Sequence, residues 1–403
     1  MNIWLVSIFE NTPIDDNLNT RYNSLAREAN QRGHRVVFWS STFRHNVKQQ
    51  RFDRHKEVQI NEHLEVKFVP ADAYQQNISL ARMKSHYKLG KSMVALFDTQ
   101  PKPDVIVVAY PPISTAHEVI LWAQKKRIPV VVDIIDPWPD GFLEHMKGLK
   151  RIIVQCGILP LKQKANFVFN QCSAIMAISK QYIDFAQTYR KQPSATAVFY
   201  PAVQFAEMKR QLQQASEKVT KNQNRITVIY AGSLGFSYDL PTILKAAEIL
   251  EQEQPNIHFI IAGDGPQKDI VETYEQSHQN LEYLGRLSKE KLMQEYYLAD
   301  IGLTQHIKGA TQSVTYKLFD LLACGLPIMN SLESEMKSII LNHQVGFHNN
   351  PGDGRALANN ILACSSDRQL LDSMKQKALA LTQELGDAQV VYSKALDFIE
   401  AQI

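Results

Sequence analysis

The chain has 403 residues, of which 44% are hydrophobic and 21% are charged, with 17 glycines and 17 prolines. This composition excludes a disordered, fibrous or low-complexity protein, and the length allows two or three domains. The longest apolar runs, such as IPVVVDII, are shorter than the ~20 residues that span a bilayer. The first residues, MNIWLVSIFENTPIDD, lack the basic start and the cleavage site of a signal peptide. We therefore expect a globular protein in the cytoplasm.

The cysteines give no indication of a metal centre or of a disulfide framework. They are widely spaced, with no C-x-x-C motif and no pair of histidines nearby. The four are Cys156, Cys172, Cys324 and Cys364. We expect them to be reduced and mostly buried structural thiols.

Positive charge is concentrated in the first half of the chain. Residues 1–200 carry 26 basic and 17 acidic side chains, whereas residues 201–403 carry 18 and 24. This asymmetry suggests that the first half meets an anionic partner. Basic residues around apolar ones suit contact with an anionic membrane leaflet, although a solvated helix face beside a core segment gives the same pattern. The densest basic stretch, which flanks an apolar segment, contains Lys147, Lys150, Arg151, Lys162 and Lys164.

The first half of the chain alternates short β-branched runs with helical patterns. In order, these are NIWLVSI, TRYNSLAREANQRG, HRVVFWSS, DVIVVAYPP, STAHEVILWAQKKR, IPVVVDII, a longer helical region and AIMAIS. This rhythm is typical of a parallel sheet covered by helices. It predicts one doubly wound, Rossmann-like α/β domain over residues 1–200.

A polar stretch rich in Gln and Lys predicts a linker over residues 201–224. A second alternating series begins with ITVIYAG and predicts a second parallel α/β domain over residues 225–385. Residues 386–403 read as a final helix, which we expect to cross back to the first domain. Two such domains place the carboxyl ends of their strands opposite each other, so we expect ligands to bind in the cleft between them.

Three segments of the second domain could bind an anion. A-G-S-L-G and A-G-D-G-P, which contain Gly232, Ser233 and Gly263, follow predicted strands and leave backbone N–H groups open to an anion. The third, Q-S-V-T-Y-K-L-F-D-L-L-A-C-G-L-P, begins at Gln312 and predicts a helix that starts near residues 313–315. The free N–H groups of that helix and the charge of Lys317 suit a diphosphate. Alternatively, the three segments have only structural roles, as tight turns and as a Lys–Asp pair on the rim of a helix.

These motifs, in this order, resemble glycosyltransferase family 4, the retaining nucleotide-sugar transferases of the GT-B fold. The likeness spans nearly the whole second domain. In the first domain, V-V-D-I-I-D-P-W-P-D resembles a segment of the branch that includes bacterial surface-polysaccharide amino-sugar transferases. The resemblance implies two Rossmann-like domains, a nucleotide-sugar donor, most commonly of uridine, and a glycan or lipid-diphosphate-linked acceptor. It implies neither a cofactor nor a metal ion, in agreement with the absence of a D-x-D motif.

The family's E-x7-E pattern aligns with Gln312 and Asp320, so both glutamates are replaced. The resemblance assigns the first position to the donor sugar and the second to the ribose. The lysine that many members carry after the first strand of the second domain is absent, and Lys317 is our replacement for it, with Arg286 second. The Gly-rich loop expected after the first strand of the chain is also absent. The remaining donor-site candidates are Gly232, Ser233, Gly263, Ser313, Val314 and Thr315.

Asp136 and Asp133 are candidates to orient the acceptor, and Trp138 could be a platform for a sugar or lipid, although capping and core packing explain them as well. The resemblance implies transfer with retained anomeric configuration, in which the leaving phosphate helps to deprotonate the incoming hydroxyl. A lipid-linked acceptor would place the protein at the cytoplasmic face of the inner membrane.

Two other classes of function stay open. One is a GT-B enzyme that does not glycosylate, such as a nucleotide-sugar 2-epimerase, and the other is a non-catalytic nucleotide-sugar-binding protein. A nicotinamide dehydrogenase is disfavoured because no G-x-G-x-x-G with a trailing acidic residue opens a βαβ unit. Nucleic-acid binding is disfavoured by the acidic second half and by the lack of a recognisable reading motif.

Overall fold

The chain forms two compact units in the computed structural model. Unit 1 contains Met1–Tyr200 and Val391–Ile403, and unit 2 contains Pro201–Val390. The structure describes residues 1–15, 19–76, 79–143, 148–191 and 194–403. The side chains of residues 142, 143, 149–151, 153 and 156 lie outside that description.

Unit 1 is built on a largely parallel sheet. Its elements are β1 (Asn2–Val6), α1 (Arg21–Gln31), β2 (Arg35–Ser41), β3 (Phe43–Arg44), β4 (Gln49–Gln50), β5 (Lys56–Asn61), β6 (Leu64–Val69), α2 (Leu80–Phe97), β7 (Val105–Tyr110), α3 (Ile113–Lys126), β8 (Val130–Ile134), a 3₁₀ helix (Asp140–Leu143), α4 (Gly148–Gly157), α5 (Leu159–Gln171), β9 (Ala174–Ala177), α6 (Lys180–Gln187) and β10 (Ala195–Val198). The eight-stranded sheet has the order β10-β9-β8-β7-β1-β2-β6-β5. Only the β5–β6 pairing in it is antiparallel.

The core of unit 1 explains why its central strands are continuously apolar. Every residue of β7 is buried, as expected for a strand covered by helices on both faces. On one face, the rings of Trp4, Trp39 and Phe97 contact each other, with centroids 4.7–5.2 Å apart. Burial of large aromatic side chains of this kind dominates the stability of such a core.

Unit 2 has a six-stranded sheet in which all pairs are parallel, in the order β13-β12-β11-β14-β15-β16. Its elements are α7 (Phe205–Ser216), β11 (Ile226–Ala231), α8 (Leu240–Glu253), β12 (Ile257–Ala262), α9 (Lys268–Ser277), β13 (Leu281–Gly285), α10 (Lys289–Leu298), β14 (Ile301–Thr304), α11 (Tyr316–Ala323), β15 (Ile328–Asn330), α12 (Glu335–Asn342), β16 (Gly346–His348), α13 (Gly354–Ser366), α14 (Arg368–Leu381) and a π-helix (Thr382–Gly386). The predicted α/β class with parallel sheets is confirmed.

The structure differs from the sequence prediction at both ends of unit 2. Residues 201–224, predicted to be a linker, contain α7, which packs against α10. The final helix, α15 (Ala388–Glu400), begins in unit 2, and its residues from Val391 onward belong to unit 1. There Asp397 accepts a hydrogen bond from the Arg32 guanidinium at 2.5 Å.

The described thiols are free. Cys172 and Cys364 are buried, and Cys324 is half-buried. Burial raises the pKa of Cys172 to about 11, which keeps that thiol protonated and unreactive at neutral pH. Cys156 lies outside the described side chains. None of the described helices combines the length and the apolarity that crossing a bilayer requires.

Candidate nucleotide-sugar site

The loops after β11 and β12 meet at the carboxyl edge of the unit 2 sheet. Gly232 has φ +147° and Gly263 has φ +145°, conformations that residues with a Cβ rarely adopt. A Cβ on Gly263 would lie 1.8 Å from the Gly232 carbonyl oxygen, so the two turns pack backbone against backbone. Gly232 also donates its N–H to the Ala262 carbonyl at 2.9 Å. Glycine at both positions is therefore required for this close approach.

Lys317, in the first turn of α11, reaches across the β11 turn. A Cβ on Gly232 would lie 2.3 Å from Lys317 Cε and 2.7 Å from Nζ. The Lys317 ammonium donates a hydrogen bond to Tyr230 Oη at 3.0 Å. It also lies 3.7 Å from the ring centroid of Tyr238, within the range of a cation–π contact. Two tyrosines and a glycine thus fix the position of this ammonium group.

Burial shifts the pKa values of Lys317 and of the titratable groups near it. It lowers the pKa of Lys317 to about 7, although the Asp320 carboxylate acts in the opposite direction. Burial likewise raises the pKa of Asp320 to about 6, and Lys317 opposes that shift. Burial and the nearby Lys317 lower the pKa of His306 to about 4. An anion bound beside Lys317 would favour the protonated form of the lysine, because it would supply a negative charge next to the buried ammonium.

Three buried polar atoms near the start of α11 have no hydrogen-bond partner among the described residues. They are Gln312 Oε1, Ser313 Oγ and His306 Nε2. Buried polar atoms normally form a hydrogen bond. Unpaired ones in the loop between β14 and α11 therefore indicate a site for a ligand or water. His306 lies just after β14, and its ring centroid is 5.0 Å from that of Tyr238. The same aromatic group therefore connects His306 to Lys317.

The start of α11 differs slightly from the sequence prediction. The helix begins at Tyr316, and Thr315 is its N-cap without a capping side-chain hydrogen bond. Thr315 Oγ1 instead lies 3.8 Å from Met336 Sδ. Val314 is only 3% exposed, so it can offer a ligand little beyond its backbone. The free N–H groups of this helix start adjoin Gln312 and Ser313, as an anion site requires.

The other donor-site candidates are more peripheral. Ser233 is exposed, and its carbonyl accepts a hydrogen bond from Tyr230 Oη at 2.6 Å. Arg286 is exposed and immediately follows β13, the strand beside β12. A cavity of about 530 Å³ opens at the same sheet edge. The loops after β14, β15 and β16 line it with Ile307, Lys308, Gly309, Ala310, Leu332, Glu333, Asn350 and Pro351.

Three residues of this arrangement were not predicted from the sequence: Tyr230, Tyr238 and His306. Tyr230 is the penultimate residue of β11, and His306 follows β14 by two positions, so both lie at strand ends where ligands bind in parallel sheets. Their position was therefore available as a signal. Tyr238 carries no such signal, because it sits in an irregular loop and only folding brings it to Lys317.

The acidic candidates of unit 1 have different surroundings. Both carboxylate oxygens of Asp133 accept hydrogen bonds from Arg21, at 2.7 and 2.8 Å, and both side chains are buried. Asp136 is half-buried, and its Oδ2 accepts a hydrogen bond from Trp138 Nε1 at 2.9 Å. Trp138 is half-buried as well and packs against the core of unit 1.

The loop after β1, where the family's Gly-rich loop is missing, contains Glu10. Its carboxylate accepts a hydrogen bond at 2.9 Å from the N–H of Tyr22, in the first turn of α1. Burial raises the pKa of Glu10 to about 7, although the Tyr22 hydrogen bond lowers it. The protein's own carboxylate thus occupies a helix N-terminus that would otherwise be open to an anionic ligand.

Only part of the basic stretch lies within the described side chains. Lys162 forms an ion pair with Asp140, which reduces its availability to a membrane. The Lys164 ammonium lies 4.9 Å from the ring centroid of Tyr87 on α2. Lys147 lies outside the described residues, and the side chains of Lys150 and Arg151 lie outside the description as well. Among the described residues, no cluster of three or more His, Cys, Asp or Glu side chains could hold a metal ion.

Comparison with known proteins identifies the part of the chain that holds this site. Residues 212–380 match the family model described as "Glycosyl transferases group 1". The matched segment lies within unit 2. The match includes every residue from Tyr230 to Asp320 discussed above, so the Lys317 site lies within the matched segment.

Two curated relatives are similar to the chain. UDP-glycosyltransferase TURAN of Arabidopsis thaliana is 28% identical over 109 residues, which cover 26% of this chain and 23% of the relative. The chain therefore matches less than a quarter of that protein's length. Alpha-monoglucosyldiacylglycerol synthase of Acholeplasma laidlawii is 21% identical over 290 residues, which cover 68% of this chain and 69% of the synthase.

One solved structure resembles the whole chain, including both units. Anabaena HepE in complex with UDP-glucose superposes with a TM-score of 0.66 over 100% of both chains, at 16% sequence identity. At this identity the likeness shows the fold alone. The chain therefore has a two-domain GT-B fold, as the resemblance implied, and the matches support a glycosyltransferase.

Proposed function

We propose that this protein is a retaining glycosyltransferase that moves a sugar from a nucleoside-diphosphate sugar to a glycan or lipid-linked acceptor. The observation that carries the proposal is the position of Lys317, whose ammonium lies over Gly232. Four and five residues before Lys317 in the chain, the buried Ser313 Oγ and Gln312 Oε1 have no hydrogen-bond partner among the described residues. The proposed setting is bacterial surface polysaccharide synthesis, by the resemblance to the amino-sugar branch.

The roles follow from where charge develops in the reaction. Negative charge accumulates on the departing diphosphate, and a preorganised cation and N–H donors stabilise it. Lys317 supplies the cation, and the backbone N–H groups at residues 313–315 supply the donors, whereas the Gly232 N–H already donates to the Ala262 carbonyl. Asp320 would accept hydrogen bonds from the ribose hydroxyls, and Gln312 would offer its amide to the sugar. The leaving phosphate would accept the proton of the incoming hydroxyl.

The relatives support uridine as the donor base. HepE is found in complex with UDP-glucose, and TURAN is named a UDP-glycosyltransferase. We therefore propose UDP for this chain, with the sugar open between a hexose and an amino sugar. No metal or other cofactor is proposed, and Lys317 with the backbone donors would stabilise the negative charge of the leaving diphosphate.

We propose that unit 1 binds the acceptor, with Asp136 and Trp138 among the residues that contact it. The name of the Acholeplasma relative, a diacylglycerol glucosyl synthase, supports a lipid-linked acceptor. Ile152 and Leu159 are 58% and 54% exposed beside the basic stretch, which supports peripheral contact with an anionic membrane. Pelleting with anionic liposomes at low salt tests this contact. Binding unchanged when Lys147, Lys150, Arg151 and Lys164 are neutralised would rule it out.

The donor proposal can be tested by thermal unfolding in the presence of UDP, GDP, TDP or ADP. A ligand that binds only the folded protein stabilises it by ~2.7 kcal/mol at a hundredfold excess over its dissociation constant. We expect UDP to raise the melting temperature of the wild type and not that of Lys317→Ala. Lys289→Ala, which removes an exposed lysine of the same unit, should respond like the wild type. No response to any nucleotide would refute the donor site.

A second candidate is a non-catalytic nucleotide-sugar-binding protein. The replacement of both family glutamates, by Gln312 and Asp320, favours it. The two functions differ in turnover. A transferase hydrolyses its donor slowly without an acceptor, whereas a binding protein retains the nucleotide sugar unchanged under the same conditions.

A further inference from the structure

A cluster of aromatic and basic side chains lies at the carboxyl edge of the unit 1 sheet. Its members come from the loops after β1, β3, β6 and β8 and from the first two turns of α2. Parallel sheets bind ligands at this edge. The residues are Phe9, His45, Tyr74, Arg82, His86 and Trp138.

Arg82 is the centre of the cluster and is only 7% exposed. Its guanidinium carbon lies 4.5 Å from the ring centroid of Trp138, 5.0 Å from that of Phe9 and 5.8 Å from that of Tyr74. Such ring contacts use the faces of a guanidinium, whereas its N–H groups lie in its plane. The three rings therefore surround the guanidinium, and Tyr74 is also a hydrogen-bond partner of Arg82.

Tyr74 links Arg82 to two histidines. His45 Nδ1 is 2.8 Å from Tyr74 Oη, and His86 Nε2 is 3.4 Å from the same oxygen. Lys48 extends this chain, because its ammonium lies 3.2 Å from His45 Nδ1. The resulting network joins two fixed cations, Arg82 and Lys48, through neutral polar groups.

The titratable groups of the cluster act on one another. Burial lowers the pKa of Arg82, and the groups that act in the opposite direction are Tyr74 and Asp136. Burial and the positive charge of Arg82 lower the pKa of His86 to about 3 and that of His45 to about 4, so both imidazoles are neutral. Asp136 is the carboxylate that acts on the Arg82 guanidinium. That carboxylate also accepts a hydrogen bond from Trp138 Nε1.

The cluster is partly accessible to solvent. Tyr74, Arg82 and His86 are buried, whereas Phe9, His45, Lys48, Asp136 and Trp138 are half-buried. A purely structural stack of arginine on aromatic rings would need neither the neutral histidines nor the adjacent lysine. The half-buried rim offers an apolar ring face next to hydrogen-bond donors, an arrangement suited to an oxyanion attached to a ring or chain.

We propose that this cluster is an anion-binding subsite in which Arg82 recognises a phosphate or carboxylate group of the sugar acceptor. Assigning that anion to the acceptor rests on the proposed function, but the binding of the anion does not. Arg82 would donate in-plane hydrogen bonds to the oxyanion, Lys48 would add its charge, and Trp138 would contact the apolar part of the ligand.

The first test measures anion binding with the nucleotide site filled. Calorimetry at low salt, in saturating UDP, would use glucose 6-phosphate as a soluble probe. Phosphatidylcholine vesicles with and without phosphatidic acid would serve as the lipid probe. We expect Arg82→Gln to weaken binding of at least one phosphate probe tenfold or more. Arg54→Gln, which removes an exposed arginine of the same unit, should bind like the wild type.

The two probes distinguish the source of the anion. Binding of glucose 6-phosphate alone indicates a soluble sugar phosphate, and binding of the phosphatidic acid vesicles alone indicates a lipid phosphate. Equal binding by wild type and Arg82→Gln, or no binding of either probe by the wild type, overturns the subsite. If UDP stabilises the protein but no anion binds, only the subsite fails. If an anion binds but no nucleotide does, only the donor proposal fails.

A second measurement needs no variant and so does not depend on the folding of Arg82→Gln. A bound anion would stabilise the protonated form of the two histidines, so their pKa values should rise. Histidine-selective NMR titration of the wild type with and without glucose 6-phosphate or the vesicles reports this directly. We expect an increase of at least one pH unit in the pKa of His45 or His86. Unchanged titration of both under saturating probe contradicts the proposal.

Discussion

The Lys317 ammonium lies over the backbone of Gly232, in space that any side chain at position 232 would fill. A Cβ there would be 2.7 Å from Nζ. The family's lysine after β11 is missing from this chain, and Lys317 reaches the same turn from α11. A positive charge is thereby delivered to the carboxyl edge of the sheet from a different element.

Gly232→Ala should displace Lys317 and weaken nucleotide binding. The new methyl group would collide with the flexible end of the lysine, which can move away but then leaves its position beside Tyr230. We expect UDP affinity to fall about tenfold, the equivalent of ~1.4 kcal/mol. Calorimetry with UDP measures this loss.

Gly352→Ala is the matched control for backbone strain. Gly352 has φ +83°, and a Cβ there would meet nothing within 4 Å. This substitution should lower the melting temperature through strain and leave UDP affinity unchanged. Equal losses of affinity in both variants would show that strain, rather than displacement of Lys317, controls binding.

Nucleotide affinity should fall as pH rises above 7. The pKa of Lys317 in the free protein is about 7, so binding of an anion at higher pH requires uptake of a proton. We expect the dissociation constant for UDP to increase by up to about tenfold per pH unit between pH 7.5 and 9. In Lys317→Met the dissociation constant should be larger but nearly independent of pH over this range. Parallel pH profiles would contradict a role for this ammonium.

Gln312→Ala should affect the sugar more than the nucleotide. Gln312 Oε1 is buried without a partner among the described residues, and the proposed function gives it a sugar hydroxyl. We expect binding and turnover of the UDP-sugar to fall by roughly 10- to 100-fold, with UDP affinity within about twofold of wild type. Competition between UDP and UDP-sugar measures both. A larger loss for UDP than for UDP-sugar would place Gln312 at the diphosphate instead.

Asp133→Asn should destabilise the fold. It leaves the buried Arg21 guanidinium beside a neutral amide, and breaking a buried ion pair costs about 3–5 kcal/mol. Urea unfolding measures this loss. The control is Lys88→Gln, which breaks the exposed Lys88–Asp72 pair and should cost at most about 1 kcal/mol. Similar effects of the two substitutions would contradict the structural role of Asp133.

Glu10→Gln should change how stability depends on pH. The pKa of Glu10 is about 7 in the folded protein and close to 4.5 when unfolded, so the folded state binds the extra proton. The contribution of Glu10 to the free energy of unfolding therefore decreases as pH rises from 4.5 to 7. Between pH 5 and pH 8, we expect the free energy of unfolding of the variant to increase by about 2 kcal/mol relative to that of the wild type. Urea unfolding at both pH values measures this change. A constant difference across this range would contradict the raised pKa.

Much of the fold follows from local patterns in the sequence. The apolar runs predict β1, β7, β8, β11 and β12 because central parallel strands are buried on both faces. The strands β5 and β6 were not predicted. The edge strand β5 is mostly exposed and lacks a continuous apolar run. The strand β6 is mostly buried, but Glu65 and Lys67 interrupt its apolar residues. The helix α7 was not predicted either, because its buried residues are few and its surface is polar.

The site was predictable only in part. Gly232, Gly263 and Lys317 stand in recognisable motifs, and the fold brings Lys317 and Gly232 into contact. The enclosure of the ammonium by Tyr230 and Tyr238 depends on loop packing that a single sequence does not specify. Arg82 was missed for the same reason, since its partners come from loops distant in the chain.

Release of nucleotide from a donor tests the central claim most directly. Wild type, Lys317→Met and Lys289→Ala would be incubated with UDP-glucose, UDP-galactose and UDP-N-acetylglucosamine, and free UDP would be measured over time. We predict that wild type and Lys289→Ala release UDP from at least one donor, and that Lys317→Met releases it at least 100-fold more slowly. Equal rates for wild type and Lys317→Met, or no release from any donor by the wild type, would contradict the proposed glycosyl transfer.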